Sequence, residues 1–410
     1  MDMDDADTLE PQPCPEGPWF ILNACSPPQD SPSKVGGSLL RKAAVVIDMG
    51  TGTCKMGFAG QARPTCTVTT VVGCGPRSPA GPGQRELETL IGEAARARLD
   101  LQLLQPVRAG IVQDWEAAEL LWSHVLEHDL LADPLEHPLL FSDPPFSPAT
   151  NREQLAETAF EALRCPAAFV ASQAVLSVYA HGRVSGLVVD TGHGVSCVTP
   201  VFQGYVLPHA LERLDLAGSH LSAFLAEALR RAGWALGQRD LHVVERIKHT
   251  HCYVASDFQQ LQAQADAQSR RCVLLPDGRV VPLGKERFQC PELLFCPPSV
   301  PGLPREGLPA LAARSLCKLS AEAQAPVAQR VLLCGGSSLF AGFPGRFSAE
   351  LRRALSCETH APVVVARPNR SLSVWIGGSI LASLSAFQSC WVLREQYEEQ
   401  GPHVVYDRWY

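Results

Sequence analysis

Apolar residues first gather in an unbroken run, Ala43-Ala44-Val45-Val46-Ile47, whose β-branched content predicts a buried strand. The run gives way to Asp48-Met49-Gly50-Thr51-Gly52-Thr53, and Cys54–Phe58 reads as a returning strand. The same order recurs further on. Ser185–Val189 is followed by Asp190-Thr191-Gly192-His193-Gly194, and Val195–Phe202 resumes the strand pattern. The leading aspartates stand 142 positions apart, and the repeat of strand, Asp-x-Gly-x-Gly turn and strand predicts an internal duplication. A third apolar run, Val331–Cys334, ends at Gly335-Gly336-Ser337-Ser338. Between these lie helical stretches. Thr150–Glu153 has capping-box spacing ahead of Leu155–Phe160, and Gln173–Tyr179 reads as a helix apolar on one face. Strands alternating with helices predict an α/β architecture.

Two segments depart from this pattern. Up to residue 40 the chain has seven acidic residues, seven prolines and one basic residue, Lys34, with no apolar period. Residues 1–42 are therefore expected to be a disordered acidic tail, able to meet partners but unable to build a core. Ser371–Leu393 holds no charged residue for 23 positions, long enough to cross a bilayer. Six serines, Gln388 and the Gly377-Gly378 pair argue instead for a strand end followed by a buried helix, so no transmembrane segment is expected.

Composition narrows the possibilities further. The 410 residues carry a net charge of −7, which gives no electrostatic footprint for nucleic acid. An acidic start without an apolar run behind it does not fit a signal peptide, so the 15 cysteines are expected to be reduced thiols. No pair has Cys-x-x-Cys spacing, and His249-Thr250-His251-Cys252 lacks a second ligand pair, which favours ordinary surface or core roles there.

The chemistry resides in the glycine turns. Without a Cβ, backbone N–H groups can approach phosphate oxygens closely, and two facing turns can pinch a polyphosphate between them. An aspartate leading each turn suits a hydrated Mg²⁺, which keeps several waters and needs few protein carboxylates. Lys55 stands within reach of the same phosphates. A single turn of this kind is common structural punctuation; two in matching contexts, with the Gly335-Gly336 turn, carry more weight.

At these residues the chain resembles the actin family. Asp48–Gly60 is similar to the first phosphate loop and its strand, and Asp190–Val195 to the second. Ser373-Val-Trp-Ile-Gly-Gly-Ser-Ile-Leu-Ala-Ser-Leu-Ser-Ala-Phe387 is close to an actin signature. Leu207–Ala210, Arg213–Gly218, Cys252–Ala255 and Leu275–Gly278 follow in family order, and the likeness runs from about Ala43 to the C-terminus. The resemblance implies a bilobal fold of two duplicated α/β lobes around an ATP cleft. The first lobe would comprise 43–180 plus 373–410 and the second 181–372, with Gln173 and Ser177 near the hinge. It further implies ATP or ADP with Mg²⁺, held by Gly50, Thr51, Gly52, Thr53, Lys55, Gly192, Gly194, Lys248, Gly335, Gly336 and Ser337. Asp48 and Asp190 would face the metal through water, and Gln173 and Asp190 would help position an attacking water.

Departures from the family pattern shape the expected function. His193 stands where actins carry a second acid, and Cys197 where a histidine helps orient water. His249 replaces a ribose-binding glutamate, and Ser371 replaces a lysine that packs on adenine. Positioning supplies most of phosphoryl-transfer catalysis, so hydrolysis is expected to be vestigial and nucleotide binding weak. The loop 74–91 has a tip, Ser78–Gly83, without the apolar plug of a filament contact, Ala109 replaces a modified histidine, and Cys296–Gly302 lacks its apolar residues. Filaments are therefore not expected. Ala180, Gly182, Tyr205, Leu381, Leu384 and Phe387 match an apolar groove for actin-binding helices, although Leu381 and Leu384 can equally pack the core. The Pro-rich tail and altered loops are similar to the testis-type actin-like proteins. That likeness implies a structural protein of the cytoplasm and cytoskeleton in the sperm perinuclear theca and acrosome region, acting through other actin-like or cytoskeletal proteins. The alternative is an active ATPase that polymerises or switches; a sugar kinase or chaperone on the same superfold shares the turns but not the Ser373–Phe387 match.

Overall fold

A computed structural model describes residues 42–76, 87–234, 240–264, 271–275, 278–298, 306–355 and 361–409. The tail, apart from Lys42, and the loop tip at 78–83 lie outside the described residues, as does the loop from Ser299 onward. Two sheets organise the chain. In the first, β1 (Val45–Met49) pairs antiparallel with β2 (Thr53–Phe58), which pairs with β3 (Cys66–Thr69); on its other side β1 runs parallel to β4 (Leu139–Asp143), and β4 to β5 (Ala167–Ser172). In the second, β6 (Gly186–Thr191) pairs antiparallel with β7 (Ser196–Phe202), and β7 with β8 (Tyr205–Val206) and β9 (Glu212–Leu214). On its other side β6 runs parallel to β10 (Val331–Cys334), and β10 to β11 (Val364–Val365).

The spatial orders β3-β2-β1-β4-β5 and β8-β7-β6-β10-β11 are the same path walked twice, which is the duplication the repeated turn predicts. The last strand, β12 (Val392–Leu393), adds to the first sheet beside β5, so the chain ends in the lobe where it began. Each sheet has its own core: Val46, Trp122, Phe141 and Trp375 in the first, Val189, Leu225, Phe343 and Phe347 in the second. Each lobe also carries an insertion, after β3 in the first and after β9 in the second. The first insertion is a three-stranded sheet (Val72–Pro76, Leu87–Ile91, Gln102–Leu104) with a short helix, Glu93–Ala97; the second includes the helix Leu241–His251.

The middle and last thirds of the chain meet through two helices, Gln173–Ala180 and Ser373–Ser383. The indole of Trp375, fully buried, donates to the carbonyl of Val46 at 3.1 Å. A Cβ at Gly377 would land on the carbonyl of Leu176, and one at Gly378 would meet Val46 Cγ1 at 2.7 Å. The glycine pair therefore lets one helix lie against both its partner helix and the sheet. The uncharged run at 371–393 is consequently a buried helix, a turn and a short strand, and no described helix is long and apolar enough to cross a membrane.

Three local expectations are corrected. Residues 370–372 form a tight helical turn and not a strand end, because the buried Arg370 guanidinium donates to the carbonyls of Arg367 and Ser338 and folds the backbone inward. The helix near Thr150 starts earlier, at Ala149, with Pro148 before it and no side-chain cap. Proline has no N–H to leave unsatisfied at a helix start, and Thr150 falls within the first turn. Gln173–Ala180 is buried on nearly every side, since it packs against the helix Ser373–Ser383 as well as β6 and β7.

Gly377→Ala is therefore expected to destabilise the protein by about 3 kcal/mol or more, at the upper end of overpacking costs. Gly345, in the helix Phe343–Ala354, has no atom within 4 Å of its would-be Cβ. Gly345→Ala is expected to stabilise by about 0.5–1 kcal/mol through helix propensity. Paired chemical-denaturation curves would check both signs.

Candidate nucleotide site between the lobes

The two Asp-x-Gly-x-Gly turns come together at the carboxyl ends of β1 and β6. Hairpin register places Asp48 opposite Lys55, and Asp190 opposite Cys197. Within the first turn the N–H of Gly50 donates to the carbonyl of Thr53 at 3.0 Å; within the second, Gly192 donates to Val195 at 3.2 Å. The turns then press against each other. A Cβ on Gly52 would lie 2.8 Å from His193 Cβ, and one on Gly194 would lie 2.8 Å from Thr51 Cβ. The cavity they border, about 280 Å³, is lined by every nucleotide and metal residue expected from the sequence: Asp48, Gly50, Thr51, Gly52, Thr53, Lys55, Gln173, Asp190, Gly192, Gly194, Lys248, Gly335, Gly336 and Ser337. Its size is near the lower end for small-molecule pockets.

A hydrogen-bonded chain supports the Asp48 side of the cavity. Gln173 Nε2 donates to Ser142 Oγ at 3.2 Å, Ser142 Oγ to Asp48 Oδ1 at 2.8 Å, and Lys55 Nζ to Asp48 Oδ2 at 2.8 Å. Burial acts to lower the Lys55 pKa, but the Asp48 charge and hydrogen bond more than offset it, so the ammonium is held charged. Asp190 is pushed up to about 6, first by burial and then by the charge of Asp48, with Lys55 opposing. Two carboxylates thus share one ammonium, and a dication would relieve the remaining negative charge. The donor set fits a hydrated Mg²⁺ at Asp48 and Asp190, and the bare glycine turns fit a polyphosphate.

The third turn is fastened to the second. Ser337 Oγ donates to the Gly192 carbonyl at 2.8 Å, and Gly335, at φ +82°, passes so close to Asp190 and Thr191 that only glycine fits. Lys248 is committed inward. Its buried ammonium donates to Gly218 O at 2.9 Å and Ser222 Oγ at 2.8 Å, and burial lowers its pKa. It reads as a strut for the cleft wall. His249 and Ser371 also border the cavity.

The substituted positions separate clearly. His193 lines the cavity, and burial holds its imidazole down to about 4, so it is neutral at physiological pH. Cys197 is buried, is absent from the cavity wall, and has its thiol pushed far up by burial and by Asp190. Ala109 adopts φ +48° in a tight hairpin turn with Gly110, whose N–H donates to Thr51 Oγ1 at 2.8 Å. Sequence reasoning missed Ser142, Gly110, Arg96 and Glu245. Ser142 alone left a signal, standing near the end of an apolar strand, but only the parallel register with β1 brings it to Asp48.

Away from the cleft, Tyr205 is half exposed and Gly182 has open space above it, with Ala180 nearly buried and Leu384 half-buried. Leu381 and Phe387 are 3% and 1% exposed, and the Phe387 ring packs edge-on against Phe169. Among the described residues no group of histidine, cysteine and acidic side chains is arranged to hold a metal, and none of the twelve described cysteines forms a disulfide.

Comparison with known proteins matches this geometry to one family. The family model described as actin covers residues 39–409. Actin-like protein 9 of Bos taurus is 63% identical over the whole of both chains, and that of Homo sapiens 68% identical over 93% of this chain and 92% of its own. Actin-like protein 7B of Homo sapiens is 42% identical over 89% of this chain and 88% of its own. With its duplicated sheets, paired glycine turns and Asp48–Lys55 pair, the chain belongs to the actin family.

Proposed function

We propose that this actin-family cytoskeletal protein is a structural module that holds ATP or ADP with Mg²⁺ weakly, turns it over very slowly, and acts through protein partners and not as a conventional filament. The observation that carries the reading is the fate of two positions. His193 is neutral and fills the second turn against Gly52, while Cys197 is a protonated thiol outside the cavity. Neither supplies a carboxylate, and an imidazole held down to about 4 is only a weak base towards water. The binding scaffold of glycine turns, Asp48, Lys55 and Asp190 is meanwhile intact, and Gln173, which would orient water, is tied to Ser142. Similarity to the testis-type actin-like proteins supports a place in the sperm perinuclear theca and acrosome region. Tyr205, Gly182 and Leu384 supply the accessible part of the partner groove, with Leu381 and Phe387 beneath as its support.

Purified protein with Mg²⁺ is expected to bind ATP, with affinity reduced at least about tenfold in Asp48→Ala, and to hydrolyse it orders of magnitude more slowly than conventional actin. The double variant His193→Asp with Cys197→His is expected to raise turnover. Electron microscopy under polymerising salt should show no helical filaments. Brisk turnover lost in Asp48→Ala would instead favour the active-ATPase reading, for which the retained Asp48, Lys55, Asp190 and Gln173 speak.

The histidine also fixes a pH dependence. In the unfolded chain it takes a proton near 6.5, whereas in the folded protein burial defers this to about 4. The unfolded state therefore binds the proton first, and stability falls as pH drops through this window. After allowance for partial exposure, the loss is of order 1–2 kcal/mol. Urea midpoints at pH 7 and pH 4.5 should differ less in His193→Gln than in the natural sequence.

A further inference from the structure

The two insertions meet across the cleft at an ion pair. Arg96, on the short helix Glu93–Ala97 of the first lobe's insertion, places Nη1 3.6 Å from Glu245 Oε2 on the helix Leu241–His251 of the second. Both side chains are about one-fifth exposed and both line the cavity. Arg96 is aimed from its own side: Glu93 Oε1 accepts from Arg96 Nη1 at 3.3 Å and from Thr69 Oγ1 at 2.6 Å. Glu245 in turn faces the second glycine turn, with its Oε1 3.9 Å from His193 Nε2.

The last contact gives His193 a role other than a lost catalytic one. A carboxylate at position 193, as in conventional actins, would stand against Glu245 in a poorly solvated cleft and repel it. A neutral imidazole lets Glu245 remain and reach Arg96. The residue that weakens metal-water chemistry is thus the one that permits a bridge across the cleft mouth.

We propose that Arg96–Glu245 is a latch that holds the two insertions closed over the cavity and sets how slowly a bound nucleoside polyphosphate leaves. The inference rests on the nucleotide reading of the cavity for its ligand, but not for the latch itself. A ligand of the cavity must pass between the insertions, so the pair regulates exchange without touching the reacting phosphate.

Two variants and two readouts test this. Glu245→Gln keeps size and shape, and Arg96→Ala removes the other partner. In nucleotide-free protein, amide hydrogen exchange is expected to quicken in both variants at 93–97 and 241–251 and to remain unchanged in β1 and β6. With a fluorescent ATP analogue and Mg²⁺, dissociation is expected to accelerate by about tenfold in each single variant, with little further gain in the double variant. High salt should move the natural protein towards the variants. Unchanged exchange in both segments would overturn the latch. If the natural protein fails to bind the analogue, the nucleotide reading falls, and the nucleotide-free exchange result still decides the latch on its own.

Discussion

The site depends on two turns meeting at two points where a glycine of one lies against a side chain of the other. Gly52 lies against His193 and Gly194 against Thr51, each closer than a Cβ would permit. That contact brings the ends of two separate sheets face to face and fixes the distance between Asp48 and Asp190. The charge of Asp48 is felt at Asp190 because of this approach, as the raised pKa of about 6 records. The excess of carboxylate over ammonium, which suits a hydrated dication, is therefore a result of packing two glycine turns together.

A second close approach carries the first. The helix Ser373–Ser383 reaches the helix Gln173–Ala180 at Gly377 and the first sheet at Gly378, and Trp375 ties it to β1. The residue that opens Gln173–Ala180 is itself part of the site, through Ser142 to Asp48. Packing between segments 200 positions apart, Gln173–Ala180 and Ser373–Ser383, is in this way one step removed from Asp48. Such coupling ties the helix contact that packs the fold to a carboxylate that faces the cavity.

Register shows how the two lobes have been put to different use. Lys55 and Cys197 occupy the same place opposite their aspartates in the two hairpins. In the first lobe that place holds a charged partner which satisfies Asp48; in the second it holds a buried thiol which leaves Asp190 dependent on its neighbours. The asymmetry leaves Asp48 paired with an ammonium and Asp190 facing a thiol across its hairpin. His193, neutral and inside the cavity, meets Glu245 without repulsion.

Strands, turns and the duplication were legible in the sequence because they follow from local rules: apolar runs bury, glycines turn, and a repeated pattern repeats its fold. The identity of most cavity-lining residues was legible for the same reason, since they sit on those turns. Tertiary structure alone decided what each of them faces. Lys248 resembles a nucleotide contact in sequence but spends its ammonium on Gly218 and Ser222, and Cys197 is withdrawn from the cavity by the strand on which it lies. Arg96 and Glu245 carry no local signature, and the position of Ser142 near a strand end does not name its partner, because Asp48 is 94 positions from Ser142 and Arg96 and Glu245 come from different lobes. Local pattern specifies which face of an element is buried; only the register between strands and the closure of two lobes determines which side chains meet across a cleft.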